Sequence, residues 1–150
     1  MGKKKIATQT TEQALKEKET LEQAYTKSAG KSVSKKFEHG RVYINASYNN
    51  TLITITDEDG NVVAWSSSGA LGFSGPKKAT PFAAAKIVAA LAQKIQKSGP
   101  FNVRVFMSGI GGGRDSALRS LANQGFNILA IKDVTPIAHN GPRPRKVRRV

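Results

Sequence analysis

The stretch that most restricts this chain is Ser108-Gly109-Ile110-Gly111-Gly112-Gly113-Arg114-Asp115-Ser116, where a strand-like segment ends and a helix-like one begins. Glycine admits backbone angles and close approaches that a Cβ would block. A helix that opens here turns unpaired N–H groups outward, and an anion can sit on them. A flexible strand-to-helix turn with no ligand uses the same residues, and the stretch by itself leaves both readings open. The rest of the chain is organised around this junction.

Upstream the pattern is that of strands. From Arg41 onward, Val42, Ile44 and Ala46 alternate with Tyr43, Asn45 and Ser47, the period of a strand with two unlike faces. Asn49-Asn50-Thr51 marks a turn, and the β-branched run Leu52 to Thr56 stops at the reverse-turn sequence Asp57-Glu58-Asp59-Gly60. Val62 to Ser66 returns as a third strand of an antiparallel meander, with Trp65 read as a packed or half-buried anchor rather than a base-stacking platform. Ser66 to Lys78 is a small-residue loop containing Gly69, Gly72 and Gly75 and ending in Pro76, Lys77 and Lys78. Lysines just before a helix start add charge where phosphate is best received.

Thr80 as N-cap and Pro81 at the first helical position open a helix that Gly99 and Pro100 close. Ile87, Leu91 and Ile95 form its core stripe, while Lys86, Gln93 and Lys97 fall towards another face as solvated residues. Asn102 to Met107 is a fourth strand, with Val103 and Val105 on one face and Arg104 and Phe106 on the other, so neither face reads as wholly solvent-exposed. After the glycine junction, Ser116 to Gln124 is a short helix with Leu118, Leu121 and Ala122 on one face, and Phe126 to Val134 is a fifth strand. The order β-β-β-α-β-α-β predicts an α/β fold, a mixed five-stranded sheet with a helix on each side. Its ligand edge is expected at the carboxyl ends of strands one and four.

Two extensions flank this core, which is assigned to residues 37–136. Residues 1–36 are polar and mixed in charge; Thr10 and Gln13 have capping-box spacing and Leu21 and Tyr25 lie one helical turn apart, so the segment reads as a mobile, partly helical extension. Residues 137–150 form a basic arm. Its prolines disfavour regular structure, and Arg143, Arg145, Lys146, Arg148 and Arg149 stand together without one acid. Arginine forks suit phosphates and guanine edges, which points the arm at RNA or DNA.

Charge agrees with that reading. A formal net charge of +14 and a sequence pI near 10.3 make polyanions the natural partners. No apolar run approaches the roughly 18 residues of a membrane-spanning helix, and no signal-peptide pattern opens the chain, so a soluble intracellular protein is expected. The absence of cysteine removes disulfides, thiolate catalysis and cysteine-ligated zinc, and with His39 and His139 as the only histidines no metal site is expected. The glycine junction lacks the Gly-Lys-Ser/Thr of a Walker loop, and Arg114 stands where a dinucleotide fingerprint needs its last glycine, so no nucleotide cofactor is expected. A metal-dependent nuclease needs acids that converge; Asp57, Glu58 and Asp59 sit in a turn, and Asp115 and Asp133 lie far apart in sequence. Asp115 reads more simply as a first-turn acid that complements the helix dipole or holds Arg114.

Asn49-Asn50-Thr51, Ser68-Gly69-Ala70-Leu71-Gly72-Phe73, Thr80-Pro81-Phe82-Ala83-Ala84 and Asp133-Val134-Thr135-Pro136-Ile137 through His139-Asn140-Gly141, in this order, resemble the bacterial form of the small-subunit ribosomal protein eleven family. The resemblance spans about Phe37 to Val150. It implies a ribonuclease-H-like, three-layer α/β/α fold without catalytic carboxylates, and a structural, non-enzymatic place in the cytoplasm on the platform of the small ribosomal subunit. It further implies binding to 16S-type rRNA and a part in shaping the messenger-RNA cleft near the Shine-Dalgarno helix. Small-subunit proteins six, seven, eighteen and twenty-one are the implied neighbours, with initiation factor three nearby. Residue by residue, it implies RNA contacts from Asn49 and Asn50; from Gly72, Ser74, Lys77 and Lys78; from Gly111, Gly112, Gly113 and Arg114; and from His139, Asn140, Arg143, Arg145, Lys146, Arg148 and Arg149. Two departures stand out: Pro142 follows Asn140-Gly141 where the bacterial family usually has cysteine, and a long mixed-charge segment replaces a shorter basic one before Phe37. Asn140-Gly141 is also a chemically plausible deamidation site, since glycine hinders backbone attack least.

Overall fold

The computed structural model describes residues 15–16, 19–20, 22–23, 38–96, 102–143 and 145–146. The alternating segments become strands β1 (His39–Ala46), β2 (Thr51–Thr56), β3 (Val62–Ser67), β4 (Asn102–Ser108) and β5 (Asn127–Asp133), and the two periodic segments become helices α1 (Pro81–Ile95) and α2 (Gly113–Asn123). Two 3-10 turns, Gly69–Leu71 and Gly75–Ala79, occupy the β3–α1 connection that reads in sequence as loop. The N-cap prediction holds: the Thr80 hydroxyl accepts from Ala83 N at 3.3 Å, and Pro81 is the first helical residue. Gly99 and Pro100, expected to close α1, lie outside the described residues, as do Lys97, Thr10, Gln13, Leu21 and Tyr25.

The mixed five-stranded sheet has the order β3-β2-β1-β4-β5. The meander β1-β2-β3 is antiparallel, and β1-β4 and β4-β5 are parallel. Val42, Ile44, Ile53, Ile55, Val103, Val105 and Met107 project from one face into a core shared with Ala84, Ile87, Val88, Leu91 and Ile95 of α1 and Ala117 and Leu121 of α2. Each fully buried Leu or Ile stabilises the fold by about 1.5–3 kcal/mol relative to exposure. The predicted α1 stripe is therefore the observed one. On α2 the buried residues are Ala117 and Leu121 with Leu118 packed alongside, while Ala122, expected in the stripe, is exposed.

The layering departs from expectation. Instead of one helix on each side, α1 and α2 pack against each other on the same face of the sheet. The β3-α1-β4 and β4-α2-β5 crossovers step in the same direction across the sheet. Two right-handed crossovers of the same sense lay both helices on one face. Neither α1 nor α2 covers the opposite face, where Trp65, expected as a packed or half-buried anchor, is 57% exposed.

Candidate nucleic-acid interface

Strand direction gathers the connections. β1, β3, β4 and β5 run the same way, so their C-terminal ends share one edge of the sheet, from which β2 starts back. Four segments meet there: the β1–β2 turn with Asn49 and Asn50, the β3–α1 connection with Gly72, Ser74, Lys77 and Lys78, the β4–α2 corner with Gly111, Gly112, Gly113 and Arg114, and the chain leaving β5 towards His139 and Asn140. The expected ligand edge, at the ends of strands one and four, is thus extended to those of strands three and five. Of the arm, Arg143, Arg145 and Lys146 are exposed, without regular structure; Arg148 and Arg149 lie outside the described residues.

Hydrogen bonds tie these segments into one surface. The Ser68 hydroxyl donates to Asn50 Oδ1 at 2.6 Å, bracing the β1–β2 turn against the chain leaving β3. Asn50 therefore has its side-chain oxygen engaged within the protein, while Asn49 is exposed. The β4–α2 corner lies directly on the end of β1: Gly111 N donates to Ala46 O at 2.8 Å. A Cβ on Gly111 would stand 2.2 Å from Ser47 O, one on Gly109 2.2 Å from Ala46 O, and one on Gly113 2.6 Å from Thr51 Oγ1. These glycines are required by close approach, and Gly109, at φ +90°, by its backbone angle as well. Gly112 is the exposed N-cap of α2.

Arg114 is held by Asp133, not by Asp115. Its guanidinium donates to Gly109 O at 3.0 Å and to Asp133 Oδ2 at 2.5 Å, joining the corner to the end of β5. Thr135 completes the joint, since its hydroxyl donates to Asp133 Oδ1 at 2.6 Å and accepts from Gly109 N at 3.2 Å. The Thr135 hydroxyl, then Arg114, then the Thr135 N–H hold the Asp133 carboxyl well below the usual carboxylate range. Arg114 thus positions the corner, with two of its five N–H donors committed to protein oxygens. Asp115 stays in the first turn of α2, where it complements the dipole.

The electrostatics of the edge follow from this packing. The Ser116 hydroxyl donates to Pro81 O at 2.7 Å, which brings the first turn of α2 against that of α1. Two helix N-termini, each with unpaired N–H groups and a partial positive charge, therefore open side by side. Lys77, exposed, and Lys78, half-buried, precede one of them. The acidic turn Asp57-Glu58-Asp59 falls at the opposite edge, between β2 and β3. Sequence reading missed the apolar groups at the basic edge: Tyr48, Phe82, Ile110 and Ile137 are all largely exposed. Phe82 meets Phe73 edge to face at 6.1 Å, and Lys86 Nζ, expected to be merely solvated, lies 5.6 Å from the Phe82 ring centroid. The position of Phe82 beside, not within, the Ile87–Leu91–Ile95 stripe was the available signal.

Among the described residues, no three His, Cys, Asp or Glu side chains gather as a metal site, and no helix is long and apolar enough to cross a membrane. The edge offers peptide N–H groups, lysines, an arginine arm and exposed rings, a set suited to binding polyanions. Known proteins share much of this sequence. The family described as Ribosomal protein S11 matches residues 40–149, which include all of the edge. Small ribosomal subunit protein uS11 of Treponema pallidum subsp. pallidum is 54% identical over 111 residues, 74% of this chain and 88% of the relative. The protein of the same name from Treponema pallidum strain Nichols matches to the same extent. With the glycine corner and all but one terminal residue each of the sheet and the arm inside the matched span, the chain belongs to the ribosomal protein S11 family.

Proposed function

We propose that this protein is a structural, non-catalytic component of the small ribosomal subunit that binds 16S-type rRNA through its carboxyl edge and basic arm. The observation that carries the reading is the convergence, in a member of this family, of two helix N-termini, Lys77 and Lys78 and the root of the arginine arm on one edge. The edge receives phosphates on N–H groups and lysines, and the arm, residues 137–150, threads between RNA segments. Asn49 and Gly112 stand exposed on that edge, whereas Asn50, Gly111, Gly113 and Arg114 build it. On the subunit the core, residues 37–136, sits at the platform beside the messenger-RNA cleft. Small-subunit proteins six, seven, eighteen and twenty-one are then its neighbours, with initiation factor three close by, in the cytoplasm where ribosomes work.

Cosedimentation tests the reading: the full chain stays with small subunits through a moderate-salt wash, and its release into the free fraction would overturn the proposal. Affinity for structured rRNA falls with salt by roughly 0.7–0.9 log unit per log unit of salt for each phosphate neutralised. Equal affinity for duplex DNA at the same salt would favour a free-standing nucleic-acid-binding protein instead.

A further inference from the structure

Because both helices cover one face of the sheet, the other presents side chains in register to the outside. We propose that this face, which neither α1 nor α2 covers, is a second RNA contact, on which bases of single-stranded RNA stack. It extends the rRNA-binding reading to a surface separate from the carboxyl edge.

Pairing sets one row across all five strands: Trp65 on β3, Thr54 on β2, Tyr43 on β1, Phe106 on β4 and Lys132 on β5. Tyr43 and Phe106, on the central strands, stack with centroids 5.1 Å apart and planes 17° from parallel. Both are half-buried, and Trp65 is 57% exposed. Two strand spacings, roughly 9–10 Å, separate the Trp65 and Tyr43 positions, with only the short Thr54 between them. That gap is about two ring-stacking distances, the space one planar base needs between two aromatic rings.

The neighbouring row supplies charge. Arg41 on β1 and Arg104 on β4 are register partners, two residues before Tyr43 and Phe106. Like charges on adjacent strands repel, which an anion bound between them relieves. With Ala130 and the buried Thr56 in that row, and Ser67, Leu52, Asn45 and Ser108 in the row beyond, none of these residues is acidic. Aromatic rings on central strands beside cations are what single-stranded RNA requires, stacking for bases and charge for the backbone. The protein's own N-terminal extension is the competing occupant, since it carries Glu12, Glu17, Glu19 and Glu22. Paired rings beside paired arginines match stacked bases on a phosphate backbone more fully than they match a peptide of mixed charge, which favours RNA.

Trp65 is the only tryptophan, so the tryptophan fluorescence of the full chain reports on this face alone. Titration with a short, unstructured oligoadenylate is expected to quench Trp65 saturably. Tyr43→Leu combined with Phe106→Leu should weaken that binding by roughly five- to 150-fold for each base that stacks, and Arg41→Gln with Arg104→Gln should flatten its salt dependence. Trp65→Phe, which keeps a ring, should retain the affinity measured by oligonucleotide anisotropy. Unchanged Trp65 emission while anisotropy reports binding would overturn the proposal without any variant. So would emission already typical of a buried indole and insensitive to oligonucleotide, which would put the N-terminal extension on the face. Loss of cosedimentation with preserved quenching would sink the assembly reading and leave this one standing.

Discussion

Gly109 and Gly60 form a matched pair for measuring how closely the β4–α2 corner sits on β1. Both have left-handed backbones, φ +90° and φ +97°, but a Cβ on Gly60 meets nothing within 4 Å while one on Gly109 would stand 2.2 Å from Ala46 O and 2.9 Å from Ala46 C. Alanine at either site carries the left-handed penalty of about 1–2 kcal/mol, offset in part by about 0.4–1 kcal/mol from a less disordered unfolded chain. At Gly109 the new methyl is roughly 1.2–1.8 Å short of ordinary contact distance, and what it strikes is backbone. The corner must lift, which stretches the 2.8 Å bond from Gly111 N to Ala46 O beyond hydrogen-bonding length. Overpacking at about 1–3 kcal/mol and one lost hydrogen bond at about 0.5–1.5 kcal/mol make Gly109→Ala worse than Gly60→Ala by about 2–4 kcal/mol. With a urea slope of about 2 kcal/mol per molar, the midpoints should differ by roughly 1–2 M at unchanged slope. Coincident midpoints would refute the claim that the glycine run exists to let the corner rest on β1.

Removing the N-cap by Thr80→Ala should destabilise the domain by about 1 kcal/mol in urea unfolding, because Ala83 N loses its acceptor. Asp133 has its carboxyl lowered in the folded state, so its stabilising contribution is complete above the unfolded value near 4 and disappears as pH falls through the lower folded value. Asp133→Asn should therefore be less stable than the parent at neutral pH and lose less on acidification below about pH 4; parallel urea midpoints from about pH 7 to about pH 2 would contradict this. Replacing Arg143, Arg145, Lys146, Arg148 and Arg149 together with alanine should weaken rRNA binding and reduce its salt slope by roughly 0.7–0.9 for each phosphate no longer neutralised, with the urea midpoint unmoved. Unchanged affinity would make the arm incidental.

Sequence alone determined the elements, because their signals are local. Alternation in Val42, Ile44 and Ala46, the four-residue recurrence of Ile87, Leu91 and Ile95, the Thr80-Pro81 start and the Asp57-to-Gly60 turn each depend on neighbours within a few residues. The arm and the net charge likewise spoke for a polyanion without any fold. Tertiary structure decided what local pattern cannot carry. Period-two alternation says that a strand has two faces but not which face a helix covers. The direction of successive crossovers settled that, placing both helices together and leaving Trp65, Tyr43 and Phe106 on the other side. The partner of Arg114 was equally illegible: Asp115 is its neighbour in sequence, yet α2 carries it away while β5 delivers Asp133 from nineteen residues on. Pairings of that kind depend on where the chain returns in space, so only the folded sheet fixes them.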